Sequence, residues 1–148
     1  MYGIMCHTAG GHCPHRRRYE MELEREVERK LVHMVKDMGG VAFKWVSPGN
    51  DGVPDRIVTL PGGRVVFVEL KTDRGQLSPQ QIRQCQRLAA MGHDVRVVWG
   101  MPGVAAFLEI YDETPHRLKT LMRNYDLTYK DVGEAEVKMR CFLGGDAK

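Results

Sequence analysis

The stretch Gly52–Lys71, GVPDRIVTLPGGRVVFVELK, constrains the fold more than any other part of the chain. Two runs of strand length, Arg56–Leu60 and Arg64–Leu70, flank Pro61-Gly62-Gly63, which suits a tight reversal, so the segment reads as a β-hairpin. The second run is almost wholly apolar until it ends in Glu69 and Lys71. A strand of that composition is covered on both faces, and charges at its end must be paired, solvated or used as ligands. Strand side chains alternate, so Glu69 and Lys71 share one face while Val68 and Leu70 take the other. Asp55 stands at the entry of the first run, and the hairpin brings it to the same end.

The flanking elements follow in order. Glu20–Met38 predicts a helix, with Val27, Leu31, Met34 and Met38 forming an apolar stripe at helical period and Gly39-Gly40 ending it. Val41–Val46 predicts a strand and Ser47–Gly52 a loop. After the hairpin, Thr72–Leu77 is a loop, Ser78-Pro79 opens a helix running to about Met91, and Asp94–Trp99 is a further strand. The return from Lys71 through a helix to Val95 is long enough for a right-handed parallel crossover. The fold class expected is therefore α/β, a mixed sheet flanked by helices in the order helix-strand-strand-strand-helix-strand. Beyond Met101-Pro102-Gly103, Val104–Tyr111 and Pro115–Tyr125 predict helices, and nothing is assigned from Asp126 onward. The expected organisation is a flexible leader over residues 1–20, a principal domain over 21–101, and a helical extension with a loose end over 102–148.

With 148 residues and a net charge of +3, the chain is one domain's worth and mildly basic, compatible with a phosphate-bearing partner. No apolar run approaches the length of a membrane span, and no apolar h-region marks a signal peptide. Four scattered cysteines do not make a disulfide framework, which points to a reducing setting. Cys6, His7, His12, Cys13 and His15 carry zinc-type ligands, but their spacing matches no strong zinc signature.

Carboxylates are hard oxygen ligands suited to Mg²⁺ or Mn²⁺. Asp55 and Glu69 on neighbouring strands can close on one ion, and the main-chain carbonyl of Leu70, between Glu69 and Lys71, can add a third ligand. Lys71, on the face of Glu69, can hold a water or meet a phosphate as a point charge. The plain alternative makes Asp55 a turn residue and Glu69 and Lys71 an exposed pair. The apolar run that precedes them counts against it.

GVPDRIVTLPGGRVVFVELK, preceded by VERKLVHMVKDMGG and followed by LSPQQ, Gly92 and VRVVWG, resembles the VRR-NUC (virus-type replication–repair nuclease) family of the PD-(D/E)xK nuclease superfamily. The resemblance covers roughly residues 24 to 100, and no core position departs from the pattern. It implies a PD-(D/E)xK restriction-endonuclease-like core. It also implies an endodeoxyribonuclease that uses Mg²⁺ (or Mn²⁺) to hydrolyse phosphodiesters. By the same resemblance, Asp55 and Glu69 are metal-binding acids, Lys71 is the catalytic lysine, and Gln81, with Gln80 as its neighbour, is the supporting glutamine. The helical glutamate that completes the site falls at Glu28, with Glu24 one turn earlier as the alternative. Compact members of the family are similar to junction-selective phage enzymes. That implies branched DNA as partner, a homodimer with two-fold related sites, and action in the cytoplasm, that of a bacterial host if phage-encoded. Lys44, Arg56, Arg74 and Arg83 are the candidate DNA contacts. The rival readings are a non-catalytic DNA-binding module on the same fold, and an enzyme acting on another phosphate ester. The latter finds no glycine-rich phosphate cradle in the sequence.

Overall fold

The computed structural model describes residues 14–141, with side chains for 21–139. Helix α1 (Pro14–Asp37) precedes β1 (Val41–Lys44), β2 (Arg56–Leu60) and β3 (Arg64–Lys71). Helix α2 (Pro79–Ala90) and β4 (Asp94–Trp99) follow, then α3 (Gly100–Tyr111), α4 (Pro115–Asn124) and α5 (Tyr129–Cys141).

The four strands form one mixed sheet in the order β1-β2-β3-β4. The β2–β3 hairpin is antiparallel, with Arg56 opposite Val68, and β4 joins β3 in parallel, with Glu69 opposite Val97 and Lys71 opposite Trp99. α2 is the crossover between the parallel pair, as expected. It starts with a capping box: Ser78 Oγ accepts from Gln81 N–H, and Gln81 Oε1 accepts from Ser78 N–H.

Alternation along β3 divides its residues between two layers. Val66, Val68 and Leu70 enter the main core with Val58 of β2, with Leu31 and Val35 of α1, and with Phe107 and Leu108 of α3. Phe67, Glu69 and Lys71 face the other side, where α2 lies. There Phe67 packs between Trp45, tilted against it, and His93, edge-on to it, with ring centroids 5.4 and 5.5 Å away.

Several features differ from expectation: β1, for one, ends at Lys44 instead of Val46. α1 begins at Pro14, so residues 14–20 are helical instead of leader; proline is well suited to a first helical turn, where its missing N–H costs nothing. Residues 1–13, including Cys6, His7, His12 and Cys13, lie outside the described residues. α3 takes in Met101-Pro102-Gly103, because a proline in the first turn removes only an N–H that has no helical partner. The segment beyond Pro102 is part of the core: Phe107, Leu108, Leu121 and Met139 are fully buried in the cluster that contains Val58 and Val66.

Candidate active site

Asp55, Glu69, Lys71 and Gln81 meet at the end of the hairpin where β2 begins and β3 finishes. Backbone hydrogen bonding fixes Asp55 twice. Its carbonyl accepts from Trp45 N–H at 2.9 Å, which extends the β1–β2 pairing past Lys44, and its Oδ2 accepts from Leu70 N–H at 3.0 Å. That bond sets the peptide of Leu70 against the Asp55 carboxylate, while the Leu70 side chain enters the core.

Glu69 is the only buried charged residue among those described, 1% exposed. Its Oε1 accepts from Gln81 Nε2 at 2.9 Å, so Gln81 is the glutamine of α2 that reaches it. Its Oε2 is buried with no hydrogen-bond partner among the described residues. Burial, together with the Asp55 charge, pushes the Glu69 carboxyl up from its ordinary 4.5 to about 8, against the pull of Lys71. Asp55 is also raised, by burial first and then by Glu28, although its bond from Leu70 N–H and the charge of Lys71 oppose the shift.

The ammonium of Lys71 stands 3.8 Å from Glu69 Oε1 and 3.9 Å from Glu24 Oε1. Glu24 is thus the glutamate that α1 brings to Lys71. Its carboxyl is raised by burial, opposed by Lys71 and reinforced by Asp55 and Glu28. Glu28 is turned instead to Arg56, whose Nε and Nη2 reach Glu28 Oε1 at 3.0 and 2.6 Å, while Nη1 donates to the Ala42 carbonyl at 3.1 Å. Of the two helical glutamates the sequence offers, Glu24 is the one beside Lys71, and Glu28, the one expected to complete the site, pairs with Arg56. The two glutamates are one turn apart on one face, and a partner 28 residues away, Arg56, captures the second.

The other expected DNA contacts scatter. Arg56 is held inside the protein by Glu28 and Ala42, and only its edge remains accessible. Lys44 is exposed and directly opposite Arg56 in register. Arg83 is exposed on α2. Arg74 is exposed in the loop after β3, on a groove of about 780 Å³ lined also by Glu26, Asp73 and Tyr125. That loop is fastened from the C-terminal half: Trp99 Nε1 donates to the Gly75 carbonyl at 2.9 Å. Lys138 Nζ donates to the Asp73 carbonyl at 3.4 Å and stands 4.3 Å over the Trp99 ring. On the opposite flank, Gly52 (φ +85°) lets the 47–54 loop rest on α2, since a Cβ there would come within 2.7 Å of the Gln80 carbonyl carbon.

Three carboxyl groups with raised pKa values, one of them buried with an unpartnered oxygen, form a site short of positive charge. Among the described residues no three acidic, histidine or cysteine side chains are drawn close enough to hold an ion by themselves. Mg²⁺ does not need three. It binds through one or two carboxylates and takes its remaining ligands from water and substrate phosphates, so Asp55 and Glu69 fit it. Cys85, buried beneath them, is inert: burial, reinforced by Glu69 and Asp55, pushes its thiol up to about 12.

The sequence model of the VRR-NUC domain matches residues 15–102. That is more than half of the chain and includes every residue of the site. The chain belongs to the VRR-NUC domain family. It is 49% identical over 80 residues to a protein of Acyrthosiphon pisum secondary endosymbiont phage 1 named "Putative nuclease p44", covering 53% of this chain and 86% of that one. A solved structure described as "VRR_NUC domain" superposes with a TM-score of 0.56 at 30% identity, over 60% of this chain and 96% of the other. The VRR-NUC segment ends at Pro102, so α4 and α5 lie outside it.

Proposed function

We propose that this protein is a Mg²⁺- or Mn²⁺-dependent DNA endonuclease, and that Asp55 and Glu69 hold the metal, with the Leu70 carbonyl as a further ligand. The observation that carries the proposal is the buried, unpartnered Oε2 of Glu69 beside Asp55, in a VRR-NUC fold. A bound divalent ion would supply charge neutralisation at the scissile phosphate and a water of lowered pKa.

The chain's own residues have separate tasks. Leu70 N–H and Gln81 Nε2 fix the rotamers of Asp55 and Glu69, leaving one oxygen of each free to bind. Lys71 stands between Glu24 and Glu69 and is loosely held by both, which leaves its ammonium able to turn toward an attacking water or a phosphate oxygen. Glu24 keeps that ammonium aimed along the site. The related phage protein, named a putative nuclease, supports the nuclease reading; our reading sets it in replication, repair or recombination on branched DNA, in the cytoplasm of a bacterial host. No described helix is long and apolar enough to cross a membrane. Symmetric cutting of a junction needs two copies. Val41, Phe43 and Val65, exposed together on one sheet face, are the surface that pairing would cover.

The test is incubation of labelled duplex, flap and four-way-junction DNA with Mg²⁺, Mn²⁺ or EDTA, alongside Asp55→Asn and Lys71→Ala. Metal-dependent cutting, absent in both variants, is the expected result, with the preferred substrate naming the class. Tight junction binding without cutting under any metal would leave a DNA-binding module in place of the enzyme.

A further inference from the structure

We propose that one face of α1, formed by Arg25, Arg29 and Lys36, is a track for the phosphate backbone of duplex DNA and seats one arm of the substrate beside the carboxylates. The inference rests on the nuclease reading and deepens it by naming where the substrate lies.

Residues 25, 29 and 36 recur at helical spacing and therefore share a face. They line a groove of about 500 Å³ together with Glu28, Val32, His33 and Arg56. Arg25, Arg29 and Lys36 are exposed. The one carboxylate in the lining is Glu28, and Arg56 already neutralises it at 2.6 Å. His33 is tied to Asp37 at 3.3 Å and is not counted. What remains facing outward is a run of cations above a neutral floor. Lys44 lies on the neighbouring strand directly opposite Arg56, on the sheet face against which α1 packs, and continues the positive edge.

Geometry connects the run to the chemistry. Arg25 follows Glu24, the residue beside Lys71, and Glu28 lies within the field of Asp55. The track thus starts at the active site and leads away from it. Eleven residues of helix at about 1.5 Å each span roughly 16 Å, close to half a turn of B-DNA at about 34 Å per turn. The larger groove on the other side of α1 has the opposite character: Glu26 and Asp73 face a single arginine, Arg74, and two carboxylates repel a backbone phosphate. One helix therefore sorts charge to its two sides, and the duplex lies on the side of Arg25, Arg29 and Lys36.

Binding in EDTA reads the track without any turnover. A labelled four-way junction is titrated by fluorescence anisotropy between about 50 and 300 mM salt. Proteins compared are the wild type, Arg25→Ala/Arg29→Ala/Lys36→Ala, the charge-retaining Arg25→Lys/Arg29→Lys, and a control that removes three cations elsewhere, Lys119→Ala/Arg123→Ala/Lys130→Ala. Each phosphate contact contributes about 0.9 to the slope of log K against log salt, so the track variant should lose about 2 to 3 from that slope and bind at least about tenfold more weakly. The lysine variant should keep the wild-type slope, which excludes a folding defect at those positions. Equal losses in the track variant and the control, or no loss in either, overturn the track while wild-type cutting keeps the nuclease reading. A wild type that neither binds nor cuts DNA overturns both.

Discussion

Glu69→Gln should stabilise the metal-free protein, by an amount that grows with pH. The folded protein keeps Glu69 protonated up to about pH 8, whereas the unfolded chain releases that proton near 4.5. Between those values the native state binds the extra proton, so stability falls as pH rises. A difference of that size corresponds to roughly 5 kcal/mol in total, of which roughly 4 kcal/mol is lost between about pH 5 and pH 9. Glu69 is 1% exposed, so solvent does little to relieve the cost. Glutamine has the same shape, can still accept from Gln81 Nε2, and carries no charge to bury. Urea denaturation in EDTA should give nearly equal stabilities for wild type and variant at pH 5. The gap in favour of the variant should open to a few kcal/mol at pH 9, or about 10 °C in Tm for a chain of this size. Adding Mg²⁺ at pH 9 should recover the wild type and leave the variant unchanged, because the cation supplies the positive charge that the buried, already ionised carboxylate lacks. Parallel pH profiles for the two proteins would refute the account, since they would mean that Glu69 is not buried against its will to ionise.

Two further substitutions separate the helical glutamates. Glu24→Gln should lower the cleavage rate roughly 10–100-fold, as for other groups that orient a metal site. Glu28→Gln should chiefly lower stability, by about 1–3 kcal/mol, because it strips Arg56 of its charged partner; thermal melts beside cleavage rates distinguish the two, and the reverse pattern would restore Glu28 to the site. Phe43→Asp should convert a dimeric species to monomer in sedimentation velocity without lowering the melting temperature, because Phe43 is exposed within the single chain.

Much of this was legible in the sequence for one physical reason: a buried strand cannot hide the charges at its end. The run Val65–Val68 announces the central strand, and Glu69 and Lys71 announce that something must meet them. The turn residues Pro61–Gly63 then determine that Asp55 is at the same end. Ser78-Pro79 marked where α2 starts, while Gln81, with Gln80 beside it, came only from the resemblance of the LSPQQ segment. What the sequence left open depended on distant partners. Glu24 and Glu28 are equivalent by helical period, and only the reach of Arg56 across from β2 separates them. α5 carries too weak an apolar stripe to be seen alone, since its helix is specified by contact with α3 and β4 through residues such as Val132 and Met139. The sorting of charge around α1 was equally hidden, because Glu26 and Arg25 are neighbours in sequence and look outward to different grooves.

The clasp of Lys138 over Trp99 and Asp73 has a consequence for the order in which the molecule is made. The loop that follows Lys71 is synthesised early, yet the residue that fastens it from α5 leaves the ribosome 65 positions after Asp73. At a typical synthesis rate of about 5–20 residues per second, the hairpin spends several seconds with that loop unlatched. The apolar underside of the sheet at Val58 and Val66 also waits until Phe107 and Leu108 arrive to cover it. A newborn chain therefore carries its acids and lysine for several seconds before α5, the last helix among the described residues, can fasten the loop beside them.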